Sequence, residues 1–320
     1  MSLSKKTKKW IDKKANISLK GKTVLVTGSN SGVGYKTIET MIYLGANVIM
    51  ACRNINKATE AKDNLLRDYS KANISIIKLD LASFESINNF VDNIISSRID
   101  IDVFVNNAGA FHQPNKKTKD GYELIIGTNY LGNYYLSEKI IPYLKTLSNR
   151  VVYINTISII YKIAKIEYDD FYYQHKYSNI KAYGRSKLCL ARYTYDLANR
   201  CKDSNIQVYM NHPGITLTPL GLNAYGKIVK VLSKPLGWIF NSNEKSSLSV
   251  AYILSNNVNN GLIVGPNNCF GGWGYPKVNK TKKNIKEGID ELVKFTNNEI
   301  NGRSKIWTKI KWSITLRPID

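Results

Sequence analysis

Short apolar runs recur along the chain, each followed by a segment in which apolar residues return every third or fourth position. The runs fall at 22–27, 47–52, 74–80, 103–106, 151–155, 207–211 and 262–264. Stretches within them, "VLV" at Val24 and "VFV" at Val103, are apolar throughout rather than alternating. Strands of that kind are covered on both faces by helices. Helix-like spacing occupies 34–44, 58–70, 84–97, 132–144 and 187–200. The pattern predicts an α/β chain: one doubly wound domain with a mostly parallel seven-stranded sheet and helices on both faces. Ligands of such sheets sit at the carboxyl ends of the strands, so chemistry is to be sought there.

Composition changes this picture little. The 320 residues are 43% hydrophobic, enough for one large core, and no Pro/Gly/Ser-rich linker or internal repeat divides them. The net charge of +22 is compatible with nucleic acid, an anionic membrane or an anionic cofactor. Basic runs at 4–14, "SKKTKKWIDKK", and 277–286, "KVNKTKKNIK", read as solvated tails. Contact with a membrane surface is the sharper alternative, helped by Trp10 and by "YGKIVKVLSKPLGWIF" at 225–240. No apolar run approaches the ~20 residues that span a bilayer, and the N-terminus lacks the apolar core of a secretory signal. Cys52, Cys189, Cys201 and Cys269 are scattered without metal-like spacing. Free thiols in a reduced compartment follow, hence a cytoplasmic location, with association at an intracellular membrane surface as the alternative. His112 and His175 have no partner set, so no metal is expected. Nucleic acid is not expected either, because no recognised binding motif accompanies the charge.

Candidate chemistry begins at the end of the first strand with "TGSNSGVG", Thr27 to Gly34. Glycines at 28, 32 and 34 permit a tight turn and close approach to a pyrophosphate, which the N–H groups of the following helix can bind. A plain strand-to-helix connector is the competing reading. The second strand ends in "ACRN", where Arg53 suits a 2′-phosphate better than ribose hydroxyls. NADP(H) is thereby favoured over NAD(H), a solvated Arg53 being the alternative. Ser29 and Asn30 offer further donors to the same phosphate. Asp80 can accept from an adenine amino group or cap the next helix. "AYGRSKL" pairs Tyr183 with Lys187 at i and i+4, but Tyr135/Lys139, Tyr161/Lys165, Tyr172/Lys176 and Tyr177/Lys181 share that spacing.

These motifs, taken in order with "NNAG" at Asn106, "TNYLGNYYL" around Asn129, "RVVYINT" ending at Thr156 and "HPGITLT" at His212, resemble the short-chain dehydrogenase/reductase family over roughly 20–275. The likeness is greatest to its retinol dehydrogenase-like branch. It implies a Rossmann-type domain at 20–275, with a substrate lid at about 220–240, flanked by basic extensions at 1–19 and 276–320. In that branch the active tyrosine follows an insertion after the fifth strand and begins a long helix; Tyr183 fits, with Leu188, Ala191, Tyr195 and Ala198 at helical spacing after it.

The resemblance implies NADP(H)-dependent interconversion of an apolar carbonyl compound and its alcohol. Tyr183 is the acid/base, and Lys187 favours the phenolate and binds the nicotinamide ribose. Asn129 holds a water in a proton path. The substrate-binding hydroxyl comes from Thr156, where the family usually has serine, or from Ser158 two residues on. The cofactor set is Gly28, Ser29, Asn30, Ser31, Gly32, Val33, Gly34, Arg53, Asp80, Leu81, Asn107, Ala108, Gly109, Tyr183, Lys187, Pro213, Gly214, Ile215 through its backbone, and Thr218. His212 reads as structural. Family members often form a homodimer through the Tyr183 helix and the helix before it, although some membrane-associated relatives need not, so a homodimer is one expected assembly. "IKEGIDELVKF" at 285–295 reads as an amphipathic helix on the body, and "WTKIKWSITL" at 307–316 as a strand, interface element or surface anchor. A weakly active NADP(H)-binding regulatory or scaffold protein of the same fold is the alternative function.

Overall fold

The structure, a computed structural model, describes residues 2–111, 116–175, 177–216, 241–256, 258–268 and 271–303. Parallel strands form where the apolar runs lie: β1 Thr23–Thr27, β2 Asn47–Cys52, β3 Ile74–Lys78, β4 Val103–Asn106, β5 Val151–Thr156, β6 Ile206–Asn211 and β7 Ile263–Asn268. Among the described residues one further strand, β8 Trp273–Asn279, joins antiparallel at the β7 edge, giving the order β3-β2-β1-β4-β5-β6-β7-β8. The sheet is therefore one strand wider than expected. Gly274 and Pro276 disguise β8 in the sequence, and both are tolerated because it is an edge strand.

Among the described residues the helices are α1 Lys5–Trp10, α2 Gly32–Tyr43, α3 Ile55–Asp68, α4 Phe84–Ser96, the single turn α5 Leu124–Ile126, α6 Asn133–Thr146, α7 Asn179–Arg200, α8 Asn243–Ser255, α9 Lys283–Lys286 and α10 Ile289–Arg303. On one sheet face α4, α6 and α7 cover Leu25, Phe104, Tyr153 and Val208. On the other, α2, α3 and α8 cover Val24, Val26, Val48, Met50 and Ile154. Burial on both faces is why the strands carry no polar alternation. Among the described residues no helix is long and apolar enough to cross a membrane.

The N-terminal run differs from the solvated tail expected, whereas the lysines of 277–286 are exposed. Leu3, just ahead of α1, and Thr7, Ile11 and Ala15, along α1 and the π-helical stretch Ile11–Ala15 that continues it, are four apart and buried. Burying Leu3 and Ile11 contributes about 1.5–3 kcal/mol each. Ser4 Oγ and Thr7 Oγ1 each donate to Glu244 Oε2 at 2.7 Å. Trp10, on which the membrane reading leaned, stacks on Tyr275 with centroids 5.6 Å apart.

At the other end, β8 runs across the boundary expected at 275, and α9 and α10 pack on α7. The amphipathic segment expected there forms, interrupted at Gly288, whose φ is +63°. Leu292 and Ile285 are wholly buried. Tyr130 OH shares a 2.6 Å hydrogen bond with Thr296 Oγ1, and Tyr134 OH donates to Asn297 Oδ1 at 2.7 Å. The α6/α7 face, which the resemblance assigned to pairing of two copies, thus carries this chain's own α10. Residues 307–316 lie outside the described residues.

Candidate active site

The head of β1 is tied to the turn after β4. Thr27 Oγ1 accepts from the N–H groups of Asn107 and Ala108 at 3.0 and 2.9 Å, and Asn107 Nδ2 donates to the carbonyls of Thr27 and Gly28. Gly28 sits at φ +63°, where a Cβ would stand 2.8 Å from Ala108 Cα. A Cβ on Gly34 would stand 2.5 Å from Asn107 Nδ2. Side chains there would push the two loops apart and close the cleft over them. Ser31 occupies the N-cap of α2 without a side-chain cap bond. The first N–H groups of that helix are thus available to an anion, which is the fit a pyrophosphate requires.

A cavity of about 610 Å³ runs from this loop along the strand ends. At one end it is lined by Asn30, Arg53, Asn54, Lys57, Asp80 and Leu81. Asn54 accepts from Lys57 N and so starts α3, which sets Lys57 one turn beyond Arg53. Asp80 Oδ1 accepts from Ala82 N at 3.0 Å, but the cap of α4 is Ser83. Gly32, Val33, Gly34, Asn107, Ala108 and Gly109 line the middle. Ser29 departs from expectation: it is buried, and its hydroxyl donates to Val26 O at 2.9 Å.

At the other end the wall contains Thr156, Ile157, Tyr183, Lys187, Pro213 and Thr216, with Phe111 beside Tyr183 at 4.6 Å between ring centroids. Thr156 closes β5, only 6% exposed, and its Oγ1 has no hydrogen-bond partner. Lys187, 4% exposed, donates from Nζ to Thr156 O at 2.8 Å. Burial brings its ammonium down to about 8. Two N–H bonds of that ammonium remain for ribose hydroxyls. Ser158 is half-buried ahead of the 3₁₀ turn Ile159–Lys162 and is not part of the cavity wall.

Asn129 lies in a π-helical stretch, Gly127–Gly132, wholly buried beneath this end. Its Oδ1 accepts from Ala110 N at 2.6 Å and its Nδ2 donates to Ala110 O at 2.8 Å. Its carbonyl accepts from Asn133 Nδ2 at 3.0 Å. Such π-turns occur often at functional sites.

Ile215 N–H donates to Gly272 O at 2.8 Å, and its carbonyl accepts from Asn241 N at 2.7 Å. Its backbone, expected to hold a carboxamide, is engaged within the chain, and Thr216 is the residue that reaches the cavity. Gly214 is required: at φ +78°, a Cβ would stand 2.4 Å from Gly272 O. Thr218 and the expected lid at 220–240 lie outside the described residues. His212 is buried, and burial, aided by the charge of Lys162, holds it down to about 4. It is neutral and structural, as its strand-end position suggested.

The competing Tyr-x-x-x-Lys pairs are spent elsewhere. Tyr135 OH donates to Asn88, Tyr172 OH to Glu299 and Tyr177 OH to Glu123, while Tyr161 is buried in the core. Of these tyrosines Tyr183 alone lines the cavity. Lys57, Phe111, Thr128 and Thr216 also line it and were missed. Only Lys57 had a legible signal, its place four residues after Arg53.

A doubly wound sheet with a glycine turn at the head of β1 and a hydroxyl, phenol and ammonium beyond it defines a dinucleotide-dependent oxidoreductase. The profile of the family described as short chain dehydrogenase matches residues 22–227. The chain is 36% identical to mouse (Mus musculus) retinol dehydrogenase 14 over 235 residues, 69% of each chain. It is 35% identical to human (Homo sapiens) retinol dehydrogenase 13 over 205 residues, 64% of this chain and 62% of that one. The fold matches the crystal structure of an uncharacterised protein from Mycobacterium paratuberculosis with a TM-score of 0.71 at 25% identity, covering 89% of this chain and 95% of that chain. The chain belongs to the short-chain dehydrogenase/reductase family, in its retinol dehydrogenase-like branch.

Proposed function

We propose that the chain interconverts an apolar carbonyl compound and its alcohol with NADP(H), and that Tyr183 exchanges the proton at the substrate oxygen. The observation that carries this reading is one cavity with Arg53 and Lys57 at one end and, at the other, Tyr183, Lys187 and a buried Thr156 hydroxyl without a protein partner. A bound nicotinamide supplies the two-electron chemistry. The chain's own groups do the rest. Arg53 and Lys57 favour a 2′-phosphate over free ribose hydroxyls. Thr156 donates to the substrate oxygen and orients it. Tyr183 gives or takes the proton, and the Lys187 ammonium beside it stabilises the phenolate left behind. Phe111 and Ile157 present an apolar wall. With α10 over the α6/α7 face, the reading is of a monomer. Exposed Lys5, Lys6, Lys9 and Lys13 on the outer side of α1 and its continuation support contact with an anionic surface.

The test is the absorbance of NADPH at its reduced-nicotinamide band with a panel of apolar aldehydes and ketones, using the intact protein and Tyr183→Phe. Oxidation by the intact protein, abolished in the variant while NADPH still binds, is expected. Binding without turnover across the panel would favour the regulatory alternative. Failure to bind either nicotinamide cofactor would overturn the reading.

A further inference from the structure

The residues that fix the far wall of the cavity come from outside every motif. Pro213 and Thr216 reach that wall, and the backbone between them is held by a cluster contributed by the start of α8. Asn241 is 3% exposed and fully engaged. Its Nδ2 donates to Pro213 O at 3.1 Å and to Ser246 Oγ at 3.3 Å, while its Oδ1 accepts from Gly274 N at 3.4 Å. Its backbone N–H donates to Ile215 O at 2.7 Å, and it bridges Thr216 as a parallel neighbour. Ser246, wholly buried, donates to the same Pro213 carbonyl at 2.7 Å.

Both protons of one amide and one hydroxyl proton thus converge on the backbone of Pro213 or on each other. The Gly274 N–H on the opposite side fixes which way the amide points. Proline has no N–H of its own to anchor this turn, so its carbonyl is the handle by which the wall is set.

We infer that Asn241, assisted by Ser246, is a positioning residue for the nicotinamide end of the cofactor: it sets the Pro213–Thr216 backbone against which that ring lies. The inference rests on the proposed function, in which the phosphate-bearing adenosine lies at Arg53 and Lys57 and the reacting ring at Thr156 and Tyr183. It makes no contact with the adenosine end, and that separation supplies the test.

Isothermal titration would compare NADPH with 2′,5′-ADP, a fragment with the adenosine and its 2′-phosphate but no nicotinamide, on the intact protein, Asn241→Ala and the milder Ser246→Ala. Loss of one or two hydrogen bonds to a wall group is expected to weaken NADPH roughly tenfold in Asn241→Ala, and less in Ser246→Ala, with 2′,5′-ADP affinity held within about twofold. A general loss of structure would weaken both ligands alike, and that result, or unchanged NADPH affinity in both variants, overturns the inference. Should Asn241→Ala fail to fold, Ser246→Ala carries the same comparison. An intact protein that binds NADPH and the fragment while the variants change neither refutes the positioning role alone. One that binds neither ligand refutes the underlying reading along with it.

Discussion

Thr156 is the residue at which the proposed chemistry is most sharply testable. A buried hydroxyl with no partner costs about 1–3 kcal/mol, and at Thr156 the proposed substrate oxygen would complete the bond. Valine has the same shape and no hydroxyl. Thr156→Val is therefore expected to lower kcat by about 10²-fold, the loss typical of one donor to a developing oxyanion. Its thermal midpoint should be unchanged or slightly higher, since an unsatisfied group has gone. Ser158→Ala, outside the cavity wall, should leave turnover intact. Steady-state rates on the two variants, with melting curves beside them, decide which hydroxyl serves: a large loss in Ser158→Ala with a normal Thr156→Val reverses the assignment. The Thr156 carbonyl also accepts from Lys187, so in the proposed reading the backbone of this residue is left to the ammonium and its side chain to the substrate.

At the level of elements, α10 is where the proposed monomer is tested. Leu292 is wholly buried against the body, and Phe295 packs on Phe171 at 4.6 Å between centroids. In the proposed reading, α10 stands where a second copy would pair on this face. Sedimentation velocity is expected to show a single monomeric species. Leu292→Asp, which places a carboxylate where none can be solvated, should release α10 and give concentration-dependent association or a lowered midpoint. A stable dimer of the intact chain would show instead that another surface pairs. The same helix illustrates what the sequence could disclose. Its apolar spacing over 285–295 was legible, as were the seven apolar strands, because both signals are local. The place of α10 over α7 was not, since it depends on contacts such as Tyr122 OH with Glu299 O, 177 positions apart. The buried stripe of Leu3, Thr7, Ile11 and Ala15 was masked by the lysines between its members. In the site, Tyr183, Lys187 and Thr156 were legible through ordered motifs. Thr216 and Asn241 were not, because only folding brings α8 to the end of β6.

The whole molecule carries a net charge of +22, and that excess acts in opposite senses on folding and on ligand binding. Lys and Arg number 46 against 24 Asp and Glu, so even complete ion pairing would leave much of the basic surface uncompensated. Self-repulsion among like charges is lower in the expanded unfolded chain than in the compact one, so it disfavours folding. Raising NaCl from about 0.03 to about 0.3 M shortens the Debye length from roughly 17 Å to roughly 6 Å. The urea midpoint is therefore expected to rise across that range. Arg53 and Lys57 are exposed, and the attraction they exert on an anionic cofactor is screened by the same salt. NADPH affinity should accordingly fall while stability rises, and it should fall more steeply than NADH affinity because NADPH carries the additional phosphate. Parallel urea titrations and binding isotherms at matched salt would resolve the two trends. Equal salt slopes for NADPH and NADH would mean that the exposed cations at the head of α3 do not read the 2′-phosphate, and the proposed preference for NADP(H) would lose its physical basis.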